Sequence, residues 1–232
     1  MGSGHDVLGC LIELSNTIFR KDGERRNLDQ YFTPMSEAAD IIRGLELTGD
    51  EQCLDPFSGS GVFLTTLLTQ FRFPLSQVHG IEFDEQLQRF TNSYCEALTA
   101  TSDEAPTLSA GIVESIKTGT PLTPPTVPIT HGDTLVELPR LPKDTKFDVV
   151  FLNPPFFLLQ GKHPKKWVPT LISHISDRGK LALIVPKWFL NRTVFKKDIC
   201  DAFDIRSSGP MRPDSFQVNS SCEIYLVAAF KK

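Results

Sequence analysis

The stretch "CLDPFSGSGVFLTTLL", residues 53–68, joins a short apolar strand, a loop with two glycines and an apolar helix. Such a loop lets a ligand approach the backbone at the positive end of the following helix. At the end of the strand lies Asp55, where a loop that binds pyrophosphate has glycine. A carboxylate repels phosphates and attracts a cationic amino group, so this stretch predicts a ligand that carries positive charge.

Segments with strand and helix patterns alternate around this stretch. Thr33 and Pro34 are good residues for the N-cap and first position of a helix. Helices are predicted at 6–20, from Thr33 onward, at 61–71, 84–99, 109–117 and 165–176. Strands are predicted near 52–55, 78–82, 127–130, 147–152 and 179–186, and in the closing "SSCEIYLVAAFKK". Alternation of this kind predicts an α/β fold with a parallel sheet covered on both faces.

The composition is that of a globular protein with one α/β core. The chain has 232 residues, of which 40% are hydrophobic and 22% charged, and it contains no apolar run long enough to cross a membrane. We therefore expect a cytoplasmic protein with no membrane partner. The five cysteines are scattered without a CxxC spacing, so no disulfide framework and no metal site is expected. The net charge of −4 restricts any nucleic-acid contact to local basic patches.

Two more acids lie at the ends of the next predicted strands. Glu82, in "HGIEFD", is 21 residues beyond Gly61, where an acid accepts hydrogen bonds from ribose hydroxyls. Asp133, in "ITHGDTL", is placed to accept from an adenine amino group. Each acid alone could simply cap a turn. Three acids at successive strand ends instead indicate one ligand with an ammonium group and a ribose, which describes S-adenosylmethionine.

The motifs "QYFTP" (30–34), "DPFSGSGVFL", "GIEFD", "GD" and "NPPF" stand in the order found in the adenine-N6 DNA methyltransferases, which the chain resembles over residues 28–230. The resemblance implies a Rossmann-like methyltransferase fold, with a mostly parallel seven-stranded sheet, helices on both faces and a final antiparallel strand. It also implies that the segment from Tyr31 to Pro34 lies over the methionine moiety of the cofactor. The implied cofactor site comprises Tyr31, Phe32, Thr33, Pro34, Asp55, Pro56, Gly59, Gly61, Glu82, Phe83, Asp133 and Asn153.

The motif in "FDVVFLNPPFFLL", residues 147–159, has residues suited to amine chemistry. The oxygen of the Asn153 side chain and the carbonyl of Pro154 can accept both hydrogens of an exocyclic amine and so direct its lone pair. A neutral amide is not a base at pH 7, so Asn153 orients the amine rather than removing its proton. Pro155 fixes the loop, and Phe156 offers a face for an extruded base. The alternative is a strand-terminating turn whose phenylalanines return to the core, and Phe157 is expected to pack inward.

Basic residues follow this motif. We expect Lys162, Lys165 and Lys166, in "GKHPKKW", to contact DNA phosphates, although solvated lysines are the simpler explanation. "NRTVFKK" (191–197) forms a second basic patch. The resemblance further suggests that Phe216, which precedes the last strand, is an aromatic residue near the flipped base.

The predicted organisation is an N-terminal helical extension, residues 1–27, followed by a methyltransferase domain, residues 28–232, without a separate target-recognition domain. DNA specificity would then come from a partner subunit, as in a restriction-modification system, or be low. Two other functions stay open. "NPPF" also occurs in enzymes that methylate ribosomal RNA guanines or protein glutamines, whereas "QYFTP" favours adenine. The intact Asp55, Glu82 and Asn153 argue against a non-catalytic nucleic-acid-binding subunit.

Overall fold

A computed structural model of the protein describes residues 33–85, 87–89, 91–92, 95, 129–211 and 223–232. The predicted N-terminal extension, with its helix at 6–20, and the predicted helix at 109–117 lie outside the described residues. No helix in the described ranges is long and apolar enough to span a membrane.

Seven strands form one mixed sheet in the order β3-β2-β1-β4-β5-β7-β6. β1 to β5 pair in parallel, and β7 runs antiparallel to both β5 and β6. Their bounds are β1 Cys53–Asp55, β2 Val78–Glu82, β3 Ile129–His131, β4 Phe147–Leu152, β5 Ile175–Pro186, β6 Phe203–Pro210 and β7 Ile224–Lys231. The predicted mostly parallel sheet with a final antiparallel strand is confirmed.

Helices and short helical turns connect these strands. The α-helices are α1 Met35–Gly44, α2 Val62–Gln70, α3 Thr134–Arg140, α4 Pro164–Ser173 and the single turn α5 Cys200–Ala202. The described residues between 85 and 95 are also helical, in agreement with the helix predicted at 84–99. Short 3₁₀ helices occupy Leu75–Gln77, Phe156–Leu159 and Lys187–Asn191, and a π-helical turn occupies Phe195–Ile199.

The central strands are buried on both faces. In β4, Val150 belongs to one buried apolar cluster and the next residue, Phe151, to a second one. Successive side chains of a strand point to opposite faces, so the two clusters cover the two sides of the sheet. Apolar residues of α3 and α4 join the first cluster, whereas those of α1 and α2 join the second. Helices on both faces explain why β4 is continuously apolar from Val149 to Leu152.

The chain order reverses direction across the sheet between β1 and β4. From β1 the chain moves outward to β2 and β3, and then returns to β4 on the other side of β1. Leu54 of β1 pairs with Val150 of β4, which places the carboxyl ends of these strands side by side. Open α/β sheets bind ligands at the carboxyl edge beside such a reversal. Asp55 and Asn153, which end or follow these two strands, therefore flank the expected binding crevice.

Several boundaries differ from those predicted. The N-cap of α1 is Pro34 rather than Thr33, and the helix begins at Met35, because the Thr33 side chain makes no capping hydrogen bond. The helix predicted at 165–176 ends at Ser173, because Ile175 is fully buried and pairs with Phe147 of β4. A register shift then accommodates the polar residues before the predicted strand at 179. β6 is not evident in the sequence. It lies at the edge of the sheet, and most of its side chains are exposed, so no alternation of apolar and polar residues marks it.

Candidate functional site

Hydrogen bonds join the loops that follow β1, β2 and β3 at the carboxyl edge of the sheet. After β1, the backbone N–H of Ser58 donates to the carbonyl of Ile81 in β2, at 3.0 Å. After β3, the backbone N–H of Gly132 donates to the carbonyl of Glu82, at 2.9 Å. The hydroxyl of Thr134, at the start of α3, donates to the carbonyl of Pro56. These contacts hold three predicted site segments together.

The loop after β1 requires glycine. Gly59 and Gly61 have φ of 51° and 70°, in the left-handed region that side chains disfavour. A Cβ at Gly61 would also lie 2.0 Å from Cγ2 of Thr91. Gly61 precedes α2 directly, so the chain turns sharply from the strand end into the helix. This turn brings backbone N–H groups to the carboxyl edge of the sheet.

Asp55 and Glu82 form a buried acidic pair, exposed by only 3% and 5%. Oδ1 of Asp55 accepts from the backbone N–H of Phe57 at 3.2 Å, and Oε2 of Glu82 accepts from that of Gly59 at 2.6 Å. Burial raises the pKa of Asp55 to about 8, and the negative charge of Glu82 contributes to the rise. Burial also raises the pKa of Glu82. Two carboxyl groups held in such a setting are suited to a cationic or hydroxyl-rich ligand.

Asp133 caps a helix. Its Oδ1 accepts from the backbone N–H of Leu135 at 2.9 Å, so one carboxylate oxygen serves as the N-cap of α3. The simpler explanation of this acid therefore holds for that oxygen. The predicted contact between Asp133 and an adenine amino group stays a prediction that concerns the second oxygen. Phe83, which follows Glu82, is 63% exposed beside these loops, where its ring is open to a ligand.

Asn153 contacts the segment predicted to cover the cofactor. Its side-chain Nδ2 donates to Oγ1 of Thr33 at 3.2 Å, across a sequence separation of 120 residues. Thr33 is buried, and Pro34 leads directly into α1. The bond points the amide nitrogen of Asn153 toward Thr33 and thereby directs its oxygen elsewhere. The motifs "TP" and "NPPF" are thus brought together at one point.

The residues after Asn153 form a rigid turn. Pro154 is buried, Pro155 is partly buried, and the carbonyl of Pro155 accepts from the backbone N–H of Leu158 at 2.9 Å. The ring of Phe156 is partly buried and packs against both apolar clusters. It therefore lies at the junction of the two cores. The expectation that Phe157 packs inward is wrong, since this residue is 40% exposed.

The predicted substrate-binding lysines lie just beyond this turn. Lys162 precedes α4, and Lys165 and Lys166 occupy its first turn, all three exposed. Nη2 of Arg192 donates to the carbonyl of Gly161 at 2.7 Å, which brings the second basic patch to the first. Both patches are visible in the sequence, but no local pattern indicates that Arg192 contacts Gly161.

Three predicted site residues, Tyr31, Phe32 and Phe216, lie outside the described residues. The other predicted cofactor and catalytic residues end or follow strands β1 to β4 at their carboxyl ends, or contact a residue that does. They are Asp55, Pro56, Gly59, Gly61, Glu82, Phe83, Asp133 and the residues from Asn153 to Phe156, together with Thr33 and Pro34. Sequence reasoning missed Ser58 and Thr134, whose side chains join the loops. Small hydroxyl residues in loops carry no pattern that would have revealed them.

Comparison with known proteins bears on the fold. No family model and no curated protein matches the chain. Among solved structures, the chain is similar to a type I restriction-modification system methyltransferase subunit from Streptococcus thermophilus, with 19% identity and a TM-score of 0.58, over 87% of this chain and 44% of that one. The fold is that of the Rossmann-like methyltransferases.

Two further neighbours have the same fold. A protein of Listeria monocytogenes, provisionally named a class I S-adenosylmethionine-dependent methyltransferase, has 15% identity and a TM-score of 0.61 over 97% of this chain and 67% of its own. A provisionally named RNA methyltransferase of Pyrococcus horikoshii has 17% identity and a TM-score of 0.52 over 96% of this chain and 98% of its own. The chain thus spans less than half of the restriction-modification subunit and nearly all of the Pyrococcus protein.

Proposed function

We propose that the protein is an S-adenosylmethionine-dependent methyltransferase that acts on the exocyclic N6 amine of adenine in DNA. The observation that carries this proposal is the hydrogen bond between Asn153 and Thr33, because it joins the segment expected over the cofactor to the motif expected to bind the amine. Asp55 and Glu82 lie at the ends of the adjacent strands β1 and β2. The residues proposed to bind the methyl donor and those proposed to bind the amine therefore lie at one edge of the sheet.

The described residues fit the cofactor. Asp55 offers a buried carboxylate to its ammonium group, and Glu82 offers a second one to its ribose hydroxyls. Gly61 has no space for a side chain, because a Cβ would meet Thr91, so glycine is needed for the tight turn between Asp55 and the helix. Two residues would contact the adenine ring of the cofactor. Asp133 would accept from its amino group through the carboxylate oxygen that does not cap α3, and Phe83 would pack its exposed ring against it.

The chemistry that the chain itself performs is positioning. When bound, S-adenosylmethionine supplies an electrophilic methyl group, whose bond to sulfur breaks as the bond from nitrogen to carbon forms. Asn153 and the carbonyl of Pro154 accept the two amine hydrogens and hold the lone pair in line. Phe156 stacks on the extruded base. The amine proton leaves to solvent after transfer, since no residue of this motif is a base at neutral pH.

Holding the amine in line and polarising it would supply most of the rate enhancement. No covalent intermediate with the protein is required. Cys53, in β1, is buried, and burial and nearby acids raise the pKa of its thiol, so it stays protonated and inert. This agrees with a direct transfer from donor to amine.

RNA is the second candidate substrate. It is supported by the likeness to the Pyrococcus protein over nearly the whole of both chains. The motif order and the segment "TP" that contacts Asn153 favour adenine in DNA. The Streptococcus neighbour is a subunit of a larger system, so a recognition partner belongs to the proposal as well.

Tritiated S-adenosylmethionine tests the proposal when the protein is given DNA, RNA and a protein extract separately. Label in DNA that is lost in an Asn153→Ala variant is the expected result. Label confined to RNA would support the second candidate, and label confined to protein would contradict both.

A further inference from the structure

Phe157 is an exposed aromatic residue that the proposed transfer does not use. Its side chain is 40% exposed, although it lies between the partly buried Phe156 and the buried Leu158 and Leu159. An apolar ring held in water costs free energy unless a partner covers it. Phe157 directly follows Phe156, the residue proposed to stack on the target base, and the core leaves part of its ring uncovered.

The segment that carries Phe157 is firmly anchored. Leu158 and Leu159 are buried in the core, and the carbonyl of Leu158 accepts from Nε1 of the buried Trp167 at 3.5 Å. The carbonyl of Phe157 accepts from the backbone N–H of Gln160 at 3.1 Å. The ring is therefore presented by a fixed turn, and little conformational freedom is lost when a flat partner stacks on it.

A basic surface continues from this turn. It consists of Lys162, Lys165, Lys166 and Arg192, and we call it the basic strip. The two lysines in the first turn of α4 add positive charge to the positive end of a helix, an arrangement unfavourable to the helix by itself. No ion pair joins any of the three lysines to an acid within the described ranges. These charges are available to an anionic partner.

Arg192 links the strip to the segment that follows the neighbouring strand, β5. It follows the turn Lys187–Asn191 after β5, and its bond to the carbonyl of Gly161 fixes the loop before α4. Gly161 has φ of 54°, which favours glycine at this turn. The strip is thus supported by segments that follow both β4 and β5, at the carboxyl edge of the sheet.

We infer that Phe157 and the basic strip bind a single strand of nucleic acid beside the target base, with Phe157 stacked on a neighbouring base and the strip on the phosphates. An exposed aromatic next to a track of cations is the arrangement by which proteins bind unpaired strands. Duplex DNA presents no free base face to such a ring. The inference rests on the proposed function for the position of the target base, and it adds the strand state of the substrate and a residue for its neighbour.

Fluorescence anisotropy with a labelled single-stranded 20-mer, as DNA and as RNA, tests the stacking contact. We expect Phe157→Ala to raise Kd about five- to a hundredfold, and Phe157→Trp to stay within about twofold of wild type. Phe157→Leu is the matched control for apolar area, and it should bind as weakly as Phe157→Ala. Because the ring is exposed, all three variants should unfold at the wild-type denaturant concentration. Wild-type Kd in Phe157→Ala or in Phe157→Leu would overturn the stacking contact.

Salt dependence tests the strip. Replacing Lys162, Lys165 and Lys166 by Gln should lower the slope of log K against log salt concentration by about 2, since each phosphate contact on a single strand contributes about 0.7. Lys143→Gln, an exposed lysine at the opposite edge of the sheet, should leave the slope unchanged. An unchanged slope in the triple variant would overturn the role of the strip.

The two proposals fail in different ways. Binding that depends on Phe157 without methylation of any adenine would contradict the proposed function and support the strand-binding surface. Methylation of adenine with wild-type strand affinity in Phe157→Ala would overturn only the strand-binding surface. Tighter binding to the RNA strand than to the DNA strand would support the surface and turn the proposed substrate toward RNA.

Discussion

The substitution Asp55→Asn should stabilise the ligand-free protein and weaken cofactor binding at the same time. Burial raises the pKa of Asp55 to about 8 from an ordinary value of 3.8, so its folded state binds a proton that its unfolded state releases. Stability from this group is fully present below pH 4 and is lost as the pH rises toward 8. Asparagine has nearly the same shape and carries no charge at any of these pH values.

The magnitude follows from the pKa. At pH 7 the ordinary carboxyl group is about three pH units above its pKa, and each unit corresponds to about 1.4 kcal/mol. The variant should therefore gain up to about 4 kcal/mol over wild type at pH 7 and almost nothing at pH 4. The gain is lowered by any part of the new amide that lacks a hydrogen-bond partner. The backbone N–H of Phe57 keeps its acceptor, since the oxygen that receives it is retained.

Urea unfolding of both proteins from pH 4 to pH 8 measures this difference. Asp50→Asn is the control, because Asp50 is exposed in the loop before β1 and loses the same charge. If the free energies of unfolding of Asp55→Asn and wild type differed by a constant amount across this range, Asp55 would not have a raised pKa in the folded protein.

Cofactor binding gives the second half of the test. Calorimetric titration with S-adenosylmethionine should give a Kd about ten- to a hundredfold higher for Asp55→Asn, because one charged hydrogen bond contributes about 1.5–3 kcal/mol. Wild-type affinity should also rise between pH 6 and pH 8 as Asp55 loses its proton, and this dependence should vanish in the variant. Equal affinity in the two proteins would remove Asp55 from the proposed site.

Three further predictions concern the same edge of the sheet. Glu82→Gln should weaken S-adenosylmethionine binding about ten- to a hundredfold in calorimetric titration, because one of its two oxygens becomes a donor and no longer accepts hydrogen bonds; unchanged affinity would remove Glu82 from the proposed site. Asn153→Ala should bind S-adenosylmethionine with a Kd within about twofold of wild type but lose methyl transfer, whereas Phe156→Trp should keep measurable turnover. Equal loss of binding and transfer in Asn153→Ala would contradict the proposed role of Asn153 in orienting the amine. Gly61→Ala should cost about 1–3 kcal/mol of stability, because its φ of 70° disfavours a side chain and its Cβ meets a threonine at 2.0 Å; an unchanged unfolding midpoint would contradict this.

Elements with an apolar core pattern were predictable from the sequence. β4 is continuously apolar from Val149 to Leu152 because it is buried between helices on both faces, and the loop after β1 contains two glycines that the sequence shows directly. The edge strand β6 was not predictable, since its exposed side chains follow no apolar period. Its existence depends on pairing with β7, a contact between distant segments that local patterns do not encode.

The positions of the candidate site residues were predictable where they end apolar strands. Asp55 ends β1 as predicted, and one of its oxygens also accepts from the backbone N–H of Phe57 in the turn that follows. Asp133 was ambiguous, because the same residue type at the same place also caps a helix, and the structure assigns one of its oxygens to that role. The exposure of Phe157 depends on how the turn after Asn153 packs, so the sequence favoured the common outcome for a phenylalanine, which is burial.

We propose that Asn153 and the buried acids form one site where a methyl group passes to the N6 amine of adenine. The most direct measurement uses S-adenosylmethionine with a trideuterated methyl group, single-stranded and duplex DNA, and mass spectrometry of the digested nucleosides. We expect deoxyadenosine that carries the trideuteromethyl group at N6. The single strand should yield more of this product than the duplex, and Asn153→Ala should yield none. Label on cytosine, on guanine or at a ring nitrogen of adenine, or undiminished label with Asn153→Ala, would contradict this proposal.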